Sequence, residues 1–322
     1  MATRGVPLDG QESAAAGLAR LLGAELDVVV AEAPGIVADD DIEHLHRWRV
    51  AIRRSRSILA ATDGVLDDGA IRHLRRDLRA LIRVSGPLRD LDVWLRDLDA
   101  ILAGVGGDLS AVRSLLERDR DAARAAQLAL LASDEHRAVL ADWSDLVAAG
   151  AVGREPWGEA SSLGEAPSLG AVAASALDDA HRRVRRRGRR VLEGGPPAAV
   201  HDLRKRAKDL RYLVESFAPL APASLVDGLA VPLRALQDVL GDYQDDEVRL
   251  GDLDRFAREA HALGAAGAEA AAAADALAET IVARHDAARA AVDEATAALL
   301  AKPTRRAVIA VVEAIATPAT PA

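Results

Sequence analysis

A single offset of 155 residues aligns one half of this chain with the other. At that spacing His46 pairs with His201, Arg49 with Arg204, Arg53 with Lys208 and Arg56 with Arg211. The register continues without a gap through Leu74 and Leu229, Leu78 and Leu233, Arg79 and Arg234, Leu81 and Leu236, Gly86 and Gly241, Asp90 and Asp245, Val93 and Val248, and Leu95 and Leu250. Charged, glycine and apolar positions all keep step, so the chain reads as an internal duplication. Its fold must then be built from two similar units that pack together.

The units are helical. Half of the 322 residues are hydrophobic, enough for real cores, and Ala and Leu dominate while β-branched and aromatic residues are sparse. Apolar residues recur at three and four, as at Leu74, Leu78, Leu81 and Ile82. Breaks are expected near Pro34-Gly35, Asp63-Gly64, Gly86-Pro87, Gly104 to Gly107, Gly194 to Pro197, Pro219 to Pro222, Gly241 and Pro303. These mark a first helical half over 10–148, a linker over 149–168, a second half over 169–316 and a disordered tail over 317–322. Each unit should hold a helix with the His/Arg series, a second helix, a Gly turn and a third helix. The expected fold class is all-α, two four-helix-bundle-like halves related by pseudo-two-fold symmetry, with the two His helices meeting near the axis.

With no cysteine, disulfides, Cys-based zinc sites and thiol nucleophiles are excluded. Met1 to Glu12 lacks the apolar core of a signal peptide. The Ala-rich stretch from Leu263 to Ala301 is interrupted by Glu269, Asp275, Glu279, Arg284 and Asp293, so no membrane span is expected. A cytoplasmic protein with no cofactor is the resulting expectation.

The formal net charge of −9 argues against a polyanion partner on average, but the charges are segregated. His44 to Ile58 holds five arginines and no acid, and His181 to Arg190 holds seven arginines and no acid. At about 100° per residue, positions 0, 3, 7 and 10 of each His series share an arc of about 80°. Arg54 and Lys205 widen that arc on its other side. A dense row of like charge costs stability unless something neutralises it. A lone basic run is ordinarily a solvated face, but a run kept in residue type at four repeated positions points to a ligand of opposite sign.

Among arginines, His46 and His201 suit hydrogen bonding to phosphate better than metal ligation. His44 and His46 are two apart and diverge on a helix. The dipeptide His201-Asp202 invites a metal-dependent phosphohydrolase reading, but its counterpart is His46-Arg47, and a metal ion amid so many cations is disfavoured. Asp90, Asp92 and the acids at 245–247 are read as structural, capping a helix start or fixing arginine rotamers.

Three stretches together resemble the CHAD family, the conserved histidine α-helical domain: His46 through Arg54, Leu88 through Val93, and Val200 through Tyr212. The resemblance runs from about Gly10 to about Ala316, within the usual boundary uncertainty. It implies two four-helix bundles in pseudo-two-fold arrangement and a basic central surface that binds inorganic polyphosphate, in association with bacterial polyphosphate granules. Its site residues map here to His46, Arg49, Arg53, Arg56 and Arg79, and to His201, Arg204, Lys205, Lys208, Arg211 and Arg234. Gln244 stands where the first unit has Arg89, and Ser57 where the second has Tyr212, so the halves need not contribute equally. Many relatives carry a CYTH triphosphatase domain. No such segment is recognisable here, and a stand-alone member is expected.

Polyphosphate, nucleic acid and acidic proteins would all be drawn to such a surface. Only Trp48 and Tyr212 lie within the cation helices, both off the arc centre, and Trp48 is expected in the core. Without stacking platforms nucleic acid is disfavoured, and binding of polyphosphate without catalysis is the favoured reading. A basic scaffold that docks nucleic acid or an acidic protein is the alternative, and a metal-dependent phosphohydrolase ranks last.

Overall fold

The computed structural model describes residues 5–61, 68–102, 110–152 and 167–317. These form ten α-helices: α1 (Ala14–Ala38), α2 (Ile42–Ala61), α3 (Asp68–Leu102), α4 (Ser110–Ala132), α5 (Asp134–Ala151), α6 (Leu169–Leu192), α7 (Pro197–Phe217), α8 (Ala223–His261), α9 (Ala268–Leu300) and α10 (Lys302–Ala316). The starts of α1, α2 and α3 recur in α6, α7 and α8 at the interval of 155 residues. Ser13 and Ser168, at the same interval, cap α1 and α6 by accepting from the amides of Ala16 and Ala171. The two caps also face each other in an isolated antiparallel bridge, with Ala14 donating to Pro167 and Leu169 to Glu12.

Helices α1, α2, α3 and α5 close a four-helix ring, each touching the next, and α6, α7, α8 and α10 close a second. The fold is all-α, as the composition requires. The rings meet where α2 packs on α7, and one continuous apolar core runs through both, from Leu18, Trp48, Leu78 and Trp143 to Leu177, Leu203, Leu233 and Val308. A second core lies beyond them. There the distal parts of α3 and α8 meet α4 and α9 around Trp94, Leu98, Leu116, Phe256 and Leu277, with Trp94 and Phe256 stacked at 6.2 Å.

Several expected breaks do not interrupt the helices. Pro34-Gly35 lies inside α1, Gly86-Pro87 inside α3 and Gly241 inside α8, so there is no Gly turn after the second helix of either unit. An internal proline removes one helical hydrogen bond, which packing of both flanks can offset. Near Pro87 the loosened turn is tied from outside, since Arg49 donates to the Ile82 carbonyl (3.0 Å) and to Ser85 Oγ (2.5 Å). Breaks at Ser133 and around Leu263 to Gly267 are not among the expected ones; the first has no Gly or Pro, while the second turns at Gly264, whose φ is 63°. The expected breaks at Asp63-Gly64 and Gly104 to Gly107, most of the linker and most of the tail lie outside the described residues.

Buried ion clusters tie the two halves together: in the outer core Arg249 of α8 bonds Asp246 (3.1 Å) and Asp97 of α3 (2.9 Å), and between the rings a triad centres on Arg54. Arg54 of α2 donates to Glu25 of α1 (2.9 Å) and to Glu215 of α7 (2.9 Å), and Glu25 is fully buried. Burial raises the pKa of the Glu25 carboxyl against the pull of Arg54. Removing one partner of a buried pair strands the others, at a cost of about 3–5 kcal/mol. Arg54→Met is therefore expected to destabilise the protein by about that amount in chemical unfolding; a loss well under 1 kcal/mol would show that the triad is not a structural joint.

Candidate functional site

A cavity of about 570 Å³ lies where α2, α3, α6 and α7 converge. From α2 come Arg53, Arg56 and Ser57, and from α3 Arg75 and Arg79. Helix α6 contributes Asp179 and Arg183; α7 contributes His201, Arg204, Lys205, Arg206, Lys208, Asp209 and Tyr212. Nine Arg or Lys side chains thus face two carboxylates, in a chain whose net charge is −9. The chain's excess acid is elsewhere, and this cavity is a strong local cation site.

Of the residues that the sequence pattern marks, Arg53, Arg56, Arg79, His201, Arg204, Lys205 and Lys208 line the cavity together. The others do not. Arg54 is turned into the core and spent on Glu25 and Glu215, because it lies about 100° from Arg53 around α2. Arg49 is buried and tied to the α3 backbone at Ile82 and to Ser85. Arg211 donates to Glu215 (2.7 Å) and Gln237 (2.9 Å), whereas Arg56, its partner in the repeat, has Ala60 and Ile82 at the corresponding positions. Arg234 is exposed on α8 away from the cavity lining, and His46 is also outside it.

Conversely, Arg75, Arg183 and Arg206 belong to the lining although the repeat does not mark them. Arg75 and Arg79 are part of a row at helical spacing, Arg72, Arg75, Arg76, Arg79 and Arg83, which is a readable signal. Arg183 lies in the first turn of the basic run of α6 that Arg182 opens. Tyr212, with Arg54 lying 5.9 Å from its ring, reaches the cavity wall, while Trp48 is fully buried.

Crowding of like charge is visible in the proton affinities. Lys208 is held well below the usual lysine range, first by loss of water and then by Arg204 and Arg53, with Asp245 opposing. It has no hydrogen-bond partner among the described residues. Arg204 and Arg56 are lowered too, chiefly by burial, although Arg204 has Asp245 at 3.9 Å. The cavity carboxylate Asp209 is engaged by Ser57 (3.3 Å) and Arg206 (3.2 Å), and burial raises its pKa. Outside the cavity lining, the repeated pair Asp90 and Asp245 reach solvent, yet the protein around them raises their pKa values, and they stand near Arg49, Arg204 and Lys208. They act as counterions. His201 shares a 2.5 Å hydrogen bond with Gln244.

Such an arrangement can hold several anionic oxygens at once. Arginine offers forked donors and lysine a point charge. Among the described residues no group of three or more His, Asp or Glu is placed to hold a metal ion, and no helix is long and apolar enough to cross a membrane.

A family model of the CHAD domain matches residues 20–254. The crystal structure of the CHAD domain from the plant Ricinus communis is similar, with a TM-score of 0.73 at 22% identity over 91% of this chain and 96% of that one. PptA from Streptomyces chartreusis is also similar, with a TM-score of 0.63 at 19% identity over 88% of this chain and 99% of that one. Both likenesses establish the fold. A search of curated proteins gave no match.

His46 supplies a test of the electrostatics. Although its ring reaches solvent, the surrounding protein mass displaces water, and together with Arg89 and Lys208 it drives the pKa down to about 4, with Glu43 opposing. The free protein should therefore hold His46 neutral throughout pH 6–8, with its NMR titration centred near pH 4. A bound polyanion should move that titration upward, because it favours the charged form. An ordinary midpoint between 6 and 7 in the free protein would contradict the cationic crowding.

Proposed function

The chain belongs to the CHAD domain family, and we propose that it binds inorganic polyphosphate in the cavity between α2, α3, α6 and α7, without turning it over. The observation that carries the reading is the excess of nine cationic side chains over two carboxylates in one cavity of an acidic chain. Both carboxylates are engaged by arginines, Asp209 by Arg206 and Asp179 by Arg182, so they favour a role in positioning cations over one as free bases.

Recognition then rests on charge and hydrogen bonding. Lys208, Arg53 and Arg204 crowd one another as partly buried cations in one cavity, so an incoming phosphate chain relieves repulsion that the free protein carries. The lining offers Tyr212 as its aromatic group and no paired stacking surface, which favours a polymer without bases over single-stranded nucleic acid. Polyphosphate granules are the cellular setting this reading predicts.

Each charge-assisted hydrogen bond is worth about 1.5–3 kcal/mol, so removing two of them should weaken binding by about 100-fold or more. Reversing Arg53 and Lys208 to Glu together is expected to abolish binding of labelled long-chain polyphosphate while the helical circular dichroism is retained. In competition at physiological salt and matched phosphate concentration, polyphosphate should displace the label far better than RNA or duplex DNA. Unchanged affinity in the double variant would reject the cavity, and preference for RNA or DNA would reject polyphosphate as the ligand. Release of orthophosphate by the pure protein with added Mg²⁺ or Mn²⁺ would overturn binding without turnover.

A further inference from the structure

The repeat does not preserve every cation. Helix α6 carries Arg182, Arg183, Arg185, Arg186, Arg189 and Arg190, while 155 residues earlier α1 has Asp27, Val28, Val30, Ala31, Pro34 and Gly35. On α3, Arg72, Arg75, Arg76 and Arg83 correspond to Asp227, Ala230, Val231 and Asp238 of α8. Both unrepeated rows border the same cavity, since Arg75 lines it beside the repeated Arg79 on α3 and Arg183 lines it on α6. The added cations therefore lie on the α3 and α6 side of the site, and at the matched positions α1 and α8 carry apolar or acidic residues.

Beyond Arg183 the α6 row continues out of the cavity. Arg182, Arg185, Arg186, Arg187, Arg189 and Arg190 border a shallow depression in which Glu193 is the one acid. From Arg183 to Arg190 the rise is about 10 Å, two helical turns. Neighbouring groups add little neutralisation at the far end: Arg182 pairs with Asp178 and Asp179, Arg187 lies 3.9 Å from Asp202, and Arg305 of α10 adds another cation beside Arg185. Arg186, Arg189 and Arg190 are exposed and outside the cavity lining.

We propose that the polyanion site is one-sided and longer than the cavity, so that a linear polyphosphate seated at Arg53 and Lys208 leaves past Arg183 and lies along the arginine row of α6. This deepens the polyphosphate reading and rests on it. Short chains occupy the cavity alone. Long chains engage both segments, and the second segment gains from being tethered to the first.

The experiment compares Arg186→Glu/Arg189→Glu/Arg190→Glu with the unaltered protein, using tripolyphosphate and a polyphosphate of hundreds of units. Long-chain affinity is expected to fall at least about 10-fold, with a salt slope shallower by up to about 2, taking about 0.7 for each phosphate that is no longer neutralised. Tripolyphosphate affinity should change less than about 2-fold, since the cavity is untouched. The milder Gln triple variant should show the same length-dependent loss in smaller degree and guards against misfolding. Equal losses for both lengths, or undiminished long-chain affinity, would overturn the extension while leaving the cavity intact. Failure of the unaltered protein to bind either chain would overturn the polyphosphate reading itself. Retained long-chain binding by the Arg53 and Lys208 double variant, with loss only in the α6 variant, would reject the cavity and keep the α6 surface.

Discussion

The pairing of the two His-bearing helices depends on a buried cation. Arg54 draws a fully buried carboxylate from α1 and a second one from α7 onto α2, so the two bundles share an ion triad at their junction. A buried triad is not a strong net source of stability, because desolvation consumes much of its Coulomb gain. It is, however, intolerant of misalignment. Slippage of α7 along α2 would break the Arg54–Glu215 bond and leave Arg54 with Glu25 alone and Glu215 with Arg211 of its own helix, so the triad favours the register in which the two His-bearing helices meet. Ser57 and Asp209, 3.3 Å apart across the same junction, lie in that register too.

The register decides which cations face each other. Arg53 and Arg54 are neighbours in sequence but lie about 100° apart on the helix, so fixing Arg54 in the core directs Arg53 into the cavity. There it stands with Lys208 and Arg204, where partial burial weakens the screening of like charges by water. Asp90 and Asp245, outside the cavity lining, balance part of this charge. The stable fold and the unbalanced site are thus two consequences of the same helix pairing.

The all-helical class was legible because propensity and apolar spacing depend on residue type, and the register of the repeat agrees with the interval between the starts of three helices in each half. Six of the cavity-lining residues followed from the repeat, and Lys205 from its place beside the cation arc. Arg54 and Arg211 did not, because their fate depends on acids and amides contributed by other helices. Glu25 corresponds to Ala180 in the repeat, Glu215 to Ala60 and Gln237 to Ile82, so partners available to one copy of a cation are missing for its counterpart. Arg75 and Arg183 escaped for the complementary reason. A search for repeated cations discards those that only one half carries. The Gly86-Pro87 signal misleads because a local breaker motif omits Arg49, which reaches from α2 to the Ile82 carbonyl.

This distinction separates scaffold from site. What the two halves share is the apolar frame and the central cation helices, and what they do not share collects on α3 and α6 around one cavity. Two equivalent cation surfaces would have doubled the repulsion in a chain that already buries Lys208 among Arg204 and Arg53. Keeping added arginines on one side, and acids such as Asp27, Asp227 and Asp238 at the corresponding positions of the other, confines that repulsion to a single region. On the proposed function, a duplicated fold thereby acquires a direction: the shared helices would define where an anionic chain is gripped, and the unshared arginines the side on which it leaves.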